Sequence, residues 1–190
     1  MVIAADNGGK KNIKILIADD HSVVRQGLKN IIQEEFPEAA VDEAITGNEV
    51  LEKTRATEFD VIVLDISMPG QNGLEILKQL RAESIKTPVL ILSMHSEDQY
   101  AIRMLKAGAS GYLTKDTASE ELIEAIKRVL MGRKYITETL AEQLATDIDK
   151  PSDKPLHQII TDREFQVLCL IASGKTVSDI ATELCLSVPT

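Results

Sequence analysis

Short apolar runs alternate with amphipathic helical patterns over roughly the first two thirds of the chain. The run from Val61 to Leu64 is rich in β-branched residues and lacks alternating polar positions, as in a strand that helices cover on both faces. The stretches between the runs place apolar residues three and four positions apart, which is the spacing of one helix face. Five strand and helix pairs follow one another, namely KILIA with 22–34, VDEAI with 47–56, VIVL with 73–83, PVLIL with 97–107 and GYLT with 119–131. This alternation predicts an α/β fold with a doubly wound parallel sheet and right-handed crossovers.

The rest of the chain is organised differently. TETLAEQLATDI has a helical pattern, and DKPSDKPLHQ after it has the prolines and alternating charges of a linker. TDREFQVLCLIASG predicts a helix that begins with a capping box of Thr161 and Glu164 and ends at Gly174, and TVSDIATELCLS predicts a second helix. Two short helices joined by a glycine turn indicate the first part of a helix-turn-helix. We therefore predict a flexible tail, an α/β domain, a linker with one helix and a small, incomplete all-α module, with the bounds 1–12, 13–132, 133–157 and 158–190.

The composition narrows the class of protein. The 190 residues are 44% hydrophobic and carry a net charge of −9, which is typical of a soluble globular protein with one ordinary core and a smaller one. Few aromatic residues and an acidic balance argue against a base-stacking single-strand binder and against DNA binding through bulk charge. Cys169 and Cys185 lack metal-ligand spacing and are interpreted as core thiols. No run resembles a signal peptide or a membrane span, so we expect a cytoplasmic protein without membrane contact.

Acidic residues follow two of the predicted strands. Asp19 and Asp20 come directly after KILIA, and Asp65 comes directly after VIVL. Because parallel strands end at the same edge of a sheet, the three carboxylates converge if the first and third strands are neighbours. Crowded carboxylates repel one another unless they share a proton or bind a cation, and a site of oxygen ligands alone suits Mg²⁺ best. We expect Asp65 to be half solvated there and to stay ionised.

The fourth and fifth predicted strands end in groups that bind anions. Ser93 supplies a hydroxyl and Lys115 a mobile ammonium. Taken singly, such an Asp can open a turn, such a Ser can cap a helix and such a Lys can be solvated. Their joint occurrence at one sheet edge favours a functional site instead. Asp65 is interpreted as a nucleophile that carries a phosphoryl group, because Mg²⁺ and Lys115 can neutralise the incoming charge.

The motifs IADD, VLDISMPGQNG, ILS and GYLTK occur in an order and at a spacing that resemble the receiver domains of two-component response regulators, over about residues 13–132. ITDREFQVLCLIASGKTVSDIATELCLS resembles the start of a LuxR-type helix-turn-helix domain. The whole chain is thus similar to a regulator of the NarL/LuxR class. This resemblance implies a flavodoxin-like sheet with the strand order 2-1-3-4-5.

The resemblance also implies the roles of single residues. Asp65 would accept a phosphoryl group from a sensor histidine kinase, with Mg²⁺ bound by the side chains of Asp20 and Asp65 and the carbonyl of Ser67, and by Asp19 mainly through water. Lys115 and Ser93 would bind the phosphoryl oxygens, and Tyr112 would change rotamer as Ser93 moves. Such a protein is a phosphoacceptor that catalyses only its own phosphorylation and slow dephosphorylation.

Several alternatives compete with this interpretation. Without the family, Tyr112 is an ordinary strand aromatic. His21 and His95 flank the site and receive no catalytic role, although His95 is placed where it could influence acyl phosphate hydrolysis. A haloacid-dehalogenase-like phosphatase would need an acid where Ser67 stands, and a Rossmann-like protein would need a glycine-rich first turn. A receiver that acts only as a protein-interaction module stays open, and so does a homodimer.

The C-terminal module departs from the LuxR pattern. TVSDIA stands where such sequences usually read close to TNKEIA, which weakens the case for a phosphate contact from this helix. Thr190 would be the first residue of the helix that reads bases. We therefore expect these 190 residues alone not to bind DNA specifically, whereas the parent regulator binds promoter DNA.

Overall fold

The computed structural model describes residues 12–68, 71–94, 97–142, 164, 167–168, 170–171 and 174–183. It contains the strands β1 (Lys14–Ala18), β2 (Ala40–Ala44), β3 (Val61–Asp65), β4 (Val89–Ser93) and β5 (Gly111–Thr114). The helices are α1 (Ser22–Glu35), α2 (Gly47–Ala56), α3 (Gly73–Ala82), α4 (Glu97–Lys106), α5 (Ala118–Leu130) and α6 (Val177–Glu183). The predicted alternation of strands and helices is confirmed, with element ends shifted by a residue or so.

All strand pairs are parallel, and the sheet has the order β2-β1-β3-β4-β5, which confirms the predicted fold. In the sheet register Ala18 lies beside Leu64, and Ser93 lies beside Thr114. The four strands β1, β3, β4 and β5 therefore end almost level, and the residues that follow them share one sheet edge. The central strands β3 and β4 are buried at every position, as their unbroken apolar runs predict.

Alternate strand residues contribute to two cores, one on each face of the sheet. The α2–α4 core lies under α2, α3 and α4, and includes Ile62, Leu64, Leu77, Met104 and Tyr112. The α1–α5 core lies under α1 and α5, and includes Ile32, Val63, Leu122 and Ile126. Burial of one such side chain contributes about 1.5–3 kcal/mol, so both apolar helix faces hold their helices against the sheet.

Parts of the C-terminal module are also described. Gly174 has a φ of +82°, and Lys175 donates a backbone hydrogen bond to the carbonyl of Leu170, so a left-handed residue ends the preceding helix as predicted. Thr176 caps α6, and Leu170 packs against Ile180. Thr161, Phe165, Cys169, Cys185 and the segment DKPSDKPLHQ lie outside the described residues, so the proposed domain bounds stay a prediction. Among the described helices, none is long and apolar enough to cross a membrane.

Candidate functional site

The structure brings the three predicted carboxylates together at the C-terminal edge of the sheet. One ligand atom each of Asp19, Asp20, His21 and Asp65 lies within 4.8 Å of the others, and we call this group the acid pocket. Asp19 follows β1 and is fully buried, whereas the side chain of Asp20 is 29% exposed. Asp65, at the end of the central strand β3, is only 1% exposed. The expectation of a half-solvated Asp65 is therefore wrong, because the ends of the neighbouring strands and Lys115 enclose it.

Lys115 is the cation that the fold places inside the acid pocket. Its Nζ lies 2.8 Å from Asp19 Oδ2 and 3.0 Å from Asp65 Oδ2, and its side chain is 11% exposed. Burial lowers the pKa of Lys115, but the two carboxylates outweigh this effect and hold that pKa above its ordinary value. Burial raises the pKa of Asp65, Lys115 opposes this and Asp19 adds to it, and the net shift is upward.

The turn from β5 into α5 carries Lys115 to this position. The backbone N–H of Lys115 donates to the carbonyl of Ser93 at 2.7 Å, which ties this turn to the end of β4. Thr114 Oγ1 and Thr117 Oγ1 lie 3.1 Å apart, and Thr117 N–H donates to Thr114 Oγ1. Ser93 itself is fully buried. Lys115 thus borders the carboxylates, and Ser93 ends the strand beside β3, at the same sheet edge.

Tyr112 lies deeper in the fold, three residues before Lys115. Its side chain is fully buried and belongs to the α2–α4 core, together with Tyr100 and Met104 of α4. On the sheet it pairs with Ile91, two residues before Ser93. The predicted switch pair, Ser93 and Tyr112, therefore comes from adjacent strands next to α4.

The loop after Asp65 is held by the first turn of α3. A Cβ on Gly73 would lie 2.8 Å from the carbonyl oxygen of Asp65, so the close approach of the two backbones requires glycine there. Gly73 N–H donates to the carbonyl of Ile66, and buried Asn72 forms a capping box with Glu75. Our interpretation of the sequence assigned no role to Asn72 or Gly73, although Asn followed three residues later by Glu is a capping signal. This anchoring restrains the backbone that leads to Ser67.

Comparison with known proteins agrees with this geometry. The protein-family model described as the response regulator receiver domain matches residues 15–127. Response regulator UvrY of Escherichia coli K12 is 32% identical over 179 residues, which are 94% of this chain and 82% of UvrY. The chain belongs to the response regulator family. Response regulator GacA of Pseudomonas aeruginosa is 34% identical over 180 residues, with 94% of this chain and 84% of GacA covered.

Solved response regulators share the fold. A LuxR-family response regulator from Aurantimonas superposes with a TM-score of 0.66 at 33% identity, over 74% of this chain and all of that one. The RcsB response regulator of Salmonella typhimurium gives 0.64 at 25% identity, over 93% of this chain and 84% of that one. The similarity thus extends beyond the receiver into the C-terminal region. It confirms the resemblance to the NarL/LuxR class and to two-component signalling regulators, and it does not favour a receiver that acts as an interaction module alone.

The acid pocket of this response regulator fits a divalent cation. Asp65 Oδ1 is buried and has no hydrogen-bond partner among the described residues. A buried carboxylate oxygen in this state is destabilising unless a cation or a hydrogen-bond donor binds it. The donors are mainly carboxylate oxygens, which hard cations prefer. The pocket can therefore hold a metal ion next to Asp65.

His21 is the pocket member that sequence reasoning left without a role. Its backbone N–H donates to Asp19 Oδ1 at 2.8 Å, and its Nδ1 lies 2.8 Å from Asp20 Oδ1. His21 therefore restrains both acids after β1. The position of His21 directly after Asp19 and Asp20 is the sequence signal that indicates contact with these acids. His95 lies outside the described residues.

Proposed function

We propose that Asp65 accepts a phosphoryl group from the phosphohistidine of a sensor histidine kinase. The observation that carries this proposal is the state of the Asp65 carboxylate: it is buried, one of its oxygens faces the Lys115 ammonium, and the other has no hydrogen-bond partner among the described residues. In the transfer, an Asp65 oxygen bonds to phosphorus, the phosphorus–nitrogen bond breaks, and the imidazole leaves and takes up a proton. The product is an acyl phosphate.

The three acids of the pocket and the residues next to them each have a role in this proposal. Asp20, Asp65 and the Ser67 carbonyl would hold Mg²⁺, and Asp19 would act on it through water. The ion would supply positive charge next to the phosphoryl oxygens. Lys115, which in this structure bridges Asp19 and Asp65, turns to a phosphoryl oxygen and neutralises a second part of the charge. The Ser93 hydroxyl donates to another oxygen.

The signal leaves the site through Ser93 and Tyr112. Movement of Ser93 toward the phosphoryl group changes the space next to Tyr112. This movement favours the conformation in which the Tyr112 side chain is buried. Tyr112 packs in the same core as α4, so its state biases the surface that α4 and β5 present. In the cytoplasm, where this receiver is joined to a complete LuxR-type module, this change controls the binding of promoter DNA, in a monomer or a homodimer. Slow self-catalysed hydrolysis of the acyl phosphate resets the receiver.

The deciding experiment is the intact mass of the protein after incubation with acetyl phosphate and Mg²⁺. We expect the wild type to gain the mass of one phosphoryl group, and Asp65→Asn to gain none. Asp116→Asn is a matched control, since Asp116 is an exposed acid next to Lys115 and outside the acid pocket. Equal labelling of Asp65→Asn and the wild type would falsify the assignment of the phosphoacceptor.

A further inference from the structure

The chain that leaves α5 turns back along the outer edge of the sheet. Gly132 adopts a left-handed φ of +74°, and Tyr135 N–H then donates to the carbonyl of Ser110 at 2.8 Å. Tyr135 also forms a parallel bridge with Gly111, the first residue of β5. Because β5 is the last strand of the sheet, residues 133–142 lie across its open edge, and we call them the edge strap.

The edge strap joins both faces of the sheet. Tyr135 belongs to the α1–α5 core and Ile136 packs against the α2–α4 core, as expected for consecutive residues of a strand-like segment. On the first face, Tyr135 OH donates to Glu121 Oε2 at 3.0 Å, and the Arg128 guanidinium lies 5.6 Å from the Tyr135 ring centroid. These contacts fix the start of the strap to α5.

Leu140 fixes the other end of the strap. It is fully buried and belongs to the α2–α4 core, the same buried cluster that holds Tyr112, Tyr100 and Met104. Thr137 supports this placement, because Leu140 N–H donates to Thr137 Oγ1 and Ala141 N–H donates to the Thr137 carbonyl. The helical residues 138–142 thus present Leu140 to the core next to α4.

Strand β5 is built to receive the strap. A Cβ on Gly111 would lie 2.9 Å from both the Cβ and the carbonyl oxygen of Tyr135, so a larger residue would push the strap off the strand. Tyr112, the next residue, sends its side chain into the core that Leu140 closes. Strand β5 therefore contacts the strap through Gly111 and also contains Tyr112, the proposed switch residue.

We propose that the edge strap couples the phosphoryl site to the C-terminal module: it docks on β5 while Tyr112 is buried and loosens when Tyr112 leaves the core. This inference rests on the proposed function of Asp65, Ser93 and Tyr112. Coupling between two sites is reciprocal, so a docked strap must favour the phosphorylated receiver by the same factor by which phosphorylation favours docking. Because the C-terminal module follows the strap in the chain, a change in the docking of the strap acts on that module through the covalent connection.

The test is amide hydrogen exchange of the full chain with and without beryllofluoride and Mg²⁺. Beryllofluoride acts as a phosphoryl mimic at Asp65. In the wild type we expect the mimic to slow exchange of the strap peptide severalfold. Leu140→Ala should abolish this slowing and weaken binding of the mimic severalfold, whereas Leu140→Met, which keeps an apolar side chain, should retain both. Leu28→Ala removes a buried side chain from the α1–α5 core and is expected to leave the coupling intact.

The outcomes separate the two proposals. Slower exchange around Ser93 and Lys115 with an unchanged strap in the wild type overturns the coupling and leaves the proposed function standing. Wild-type affinity of Leu140→Ala for the mimic overturns the coupling as well. The wild-type comparison decides this even where a variant folds poorly. Absence of any protection by the mimic at Asp65, Ser93 and Lys115 overturns the proposed function and the coupling together.

Discussion

Replacement of Lys115 by methionine tests whether this ammonium is the counter-ion of the acid pocket. Lys115 Nζ lies within 3.0 Å of oxygens on both Asp19 and Asp65, and both acids are almost completely buried. The variant leaves two adjacent buried carboxylates without their cation, and removal of one partner from a buried ion pair costs about 3–5 kcal/mol. Methionine retains much of the packing of the lysine stem. We therefore expect the free energy of unfolding to fall by about 3 kcal/mol at neutral pH without Mg²⁺.

This loss should shrink in acid. Burial raises the pKa of Asp65 in the wild type, and Lys115 opposes that rise, so its removal raises the pKa further. A carboxyl whose pKa is higher in the folded state than in the unfolded state contributes its stability below the unfolded pKa, and loses it as the pH rises through the folded pKa. Since the unfolded pKa of Asp is about 3.9, the difference between variant and wild type should be smallest near that pH and largest at neutral pH.

Urea denaturation in the presence of EDTA, repeated from neutral pH to about pH 4, measures this difference. Lys127→Met is the control, because Lys127 pairs with Glu35 at the surface, where both side chains are more than 40% exposed. Loss of such a pair should cost less than about 1 kcal/mol. A loss for Lys115→Met that matches the control, or that does not change with pH, would refute the assignment of Lys115 as the counter-ion.

Three further predictions follow from the pocket and its anchoring loop. Without Mg²⁺, Asp65→Asn should have a higher free energy of unfolding than the wild type. The reason is that the variant lacks a carboxylate whose ionisation is disfavoured by burial and by Asp19. An unchanged or lower free energy of unfolding in urea denaturation would contradict this. Mg²⁺ should raise the melting temperature of the wild type but have little effect on Asp20→Ala, and equal shifts in both proteins would exclude Asp20 as a ligand. In the same denaturation experiment, Gly73→Ala should lower the free energy of unfolding by about 1–3 kcal/mol, because its Cβ would lie 2.8 Å from backbone atoms. Gly27→Ala has open space around the Cβ and should raise the free energy of unfolding by up to about 1 kcal/mol.

The fold and the composition of the pocket could be predicted because they depend on topology. Unbroken apolar runs such as Val61 to Leu64 identify buried parallel strands, and parallel strands bring the residues at their ends to one edge. That logic places Asp19, Asp65 and Lys115 together without any knowledge of distances. The side-chain distances then show which carboxylate oxygens Lys115 reaches.

The burial of Asp65 and the docking of Leu140 could not be predicted in this way. Exposure depends on how closely the neighbouring loops approach, and the sequence pattern around Asp65 is the same for an open and a closed edge. Leu140 lies in a helical pattern that the sequence assigns to the predicted linker, and a single leucine there does not indicate which surface it meets. Long-range packing decides both features, and local periodicity carries no information about it.

The acid pocket carries more negative charge than its own ammonium can balance. Three carboxylates and Lys115 leave a net charge of about −2, and His21 adds a positive charge only when it is protonated. Two charges about 4 Å apart interact by about 4 kcal/mol at the effective dielectric of a protein surface. Without a cation, an incoming phosphoryl group would meet this repulsion, whereas a divalent ion brings the pocket close to neutrality and leaves Lys115 free to attract the phosphoryl oxygens. On the proposed mechanism we therefore expect the cation to bind before the phosphoryl group, and we expect the charge that phosphorylation adds to this pocket to be what shifts Ser93 and Tyr112.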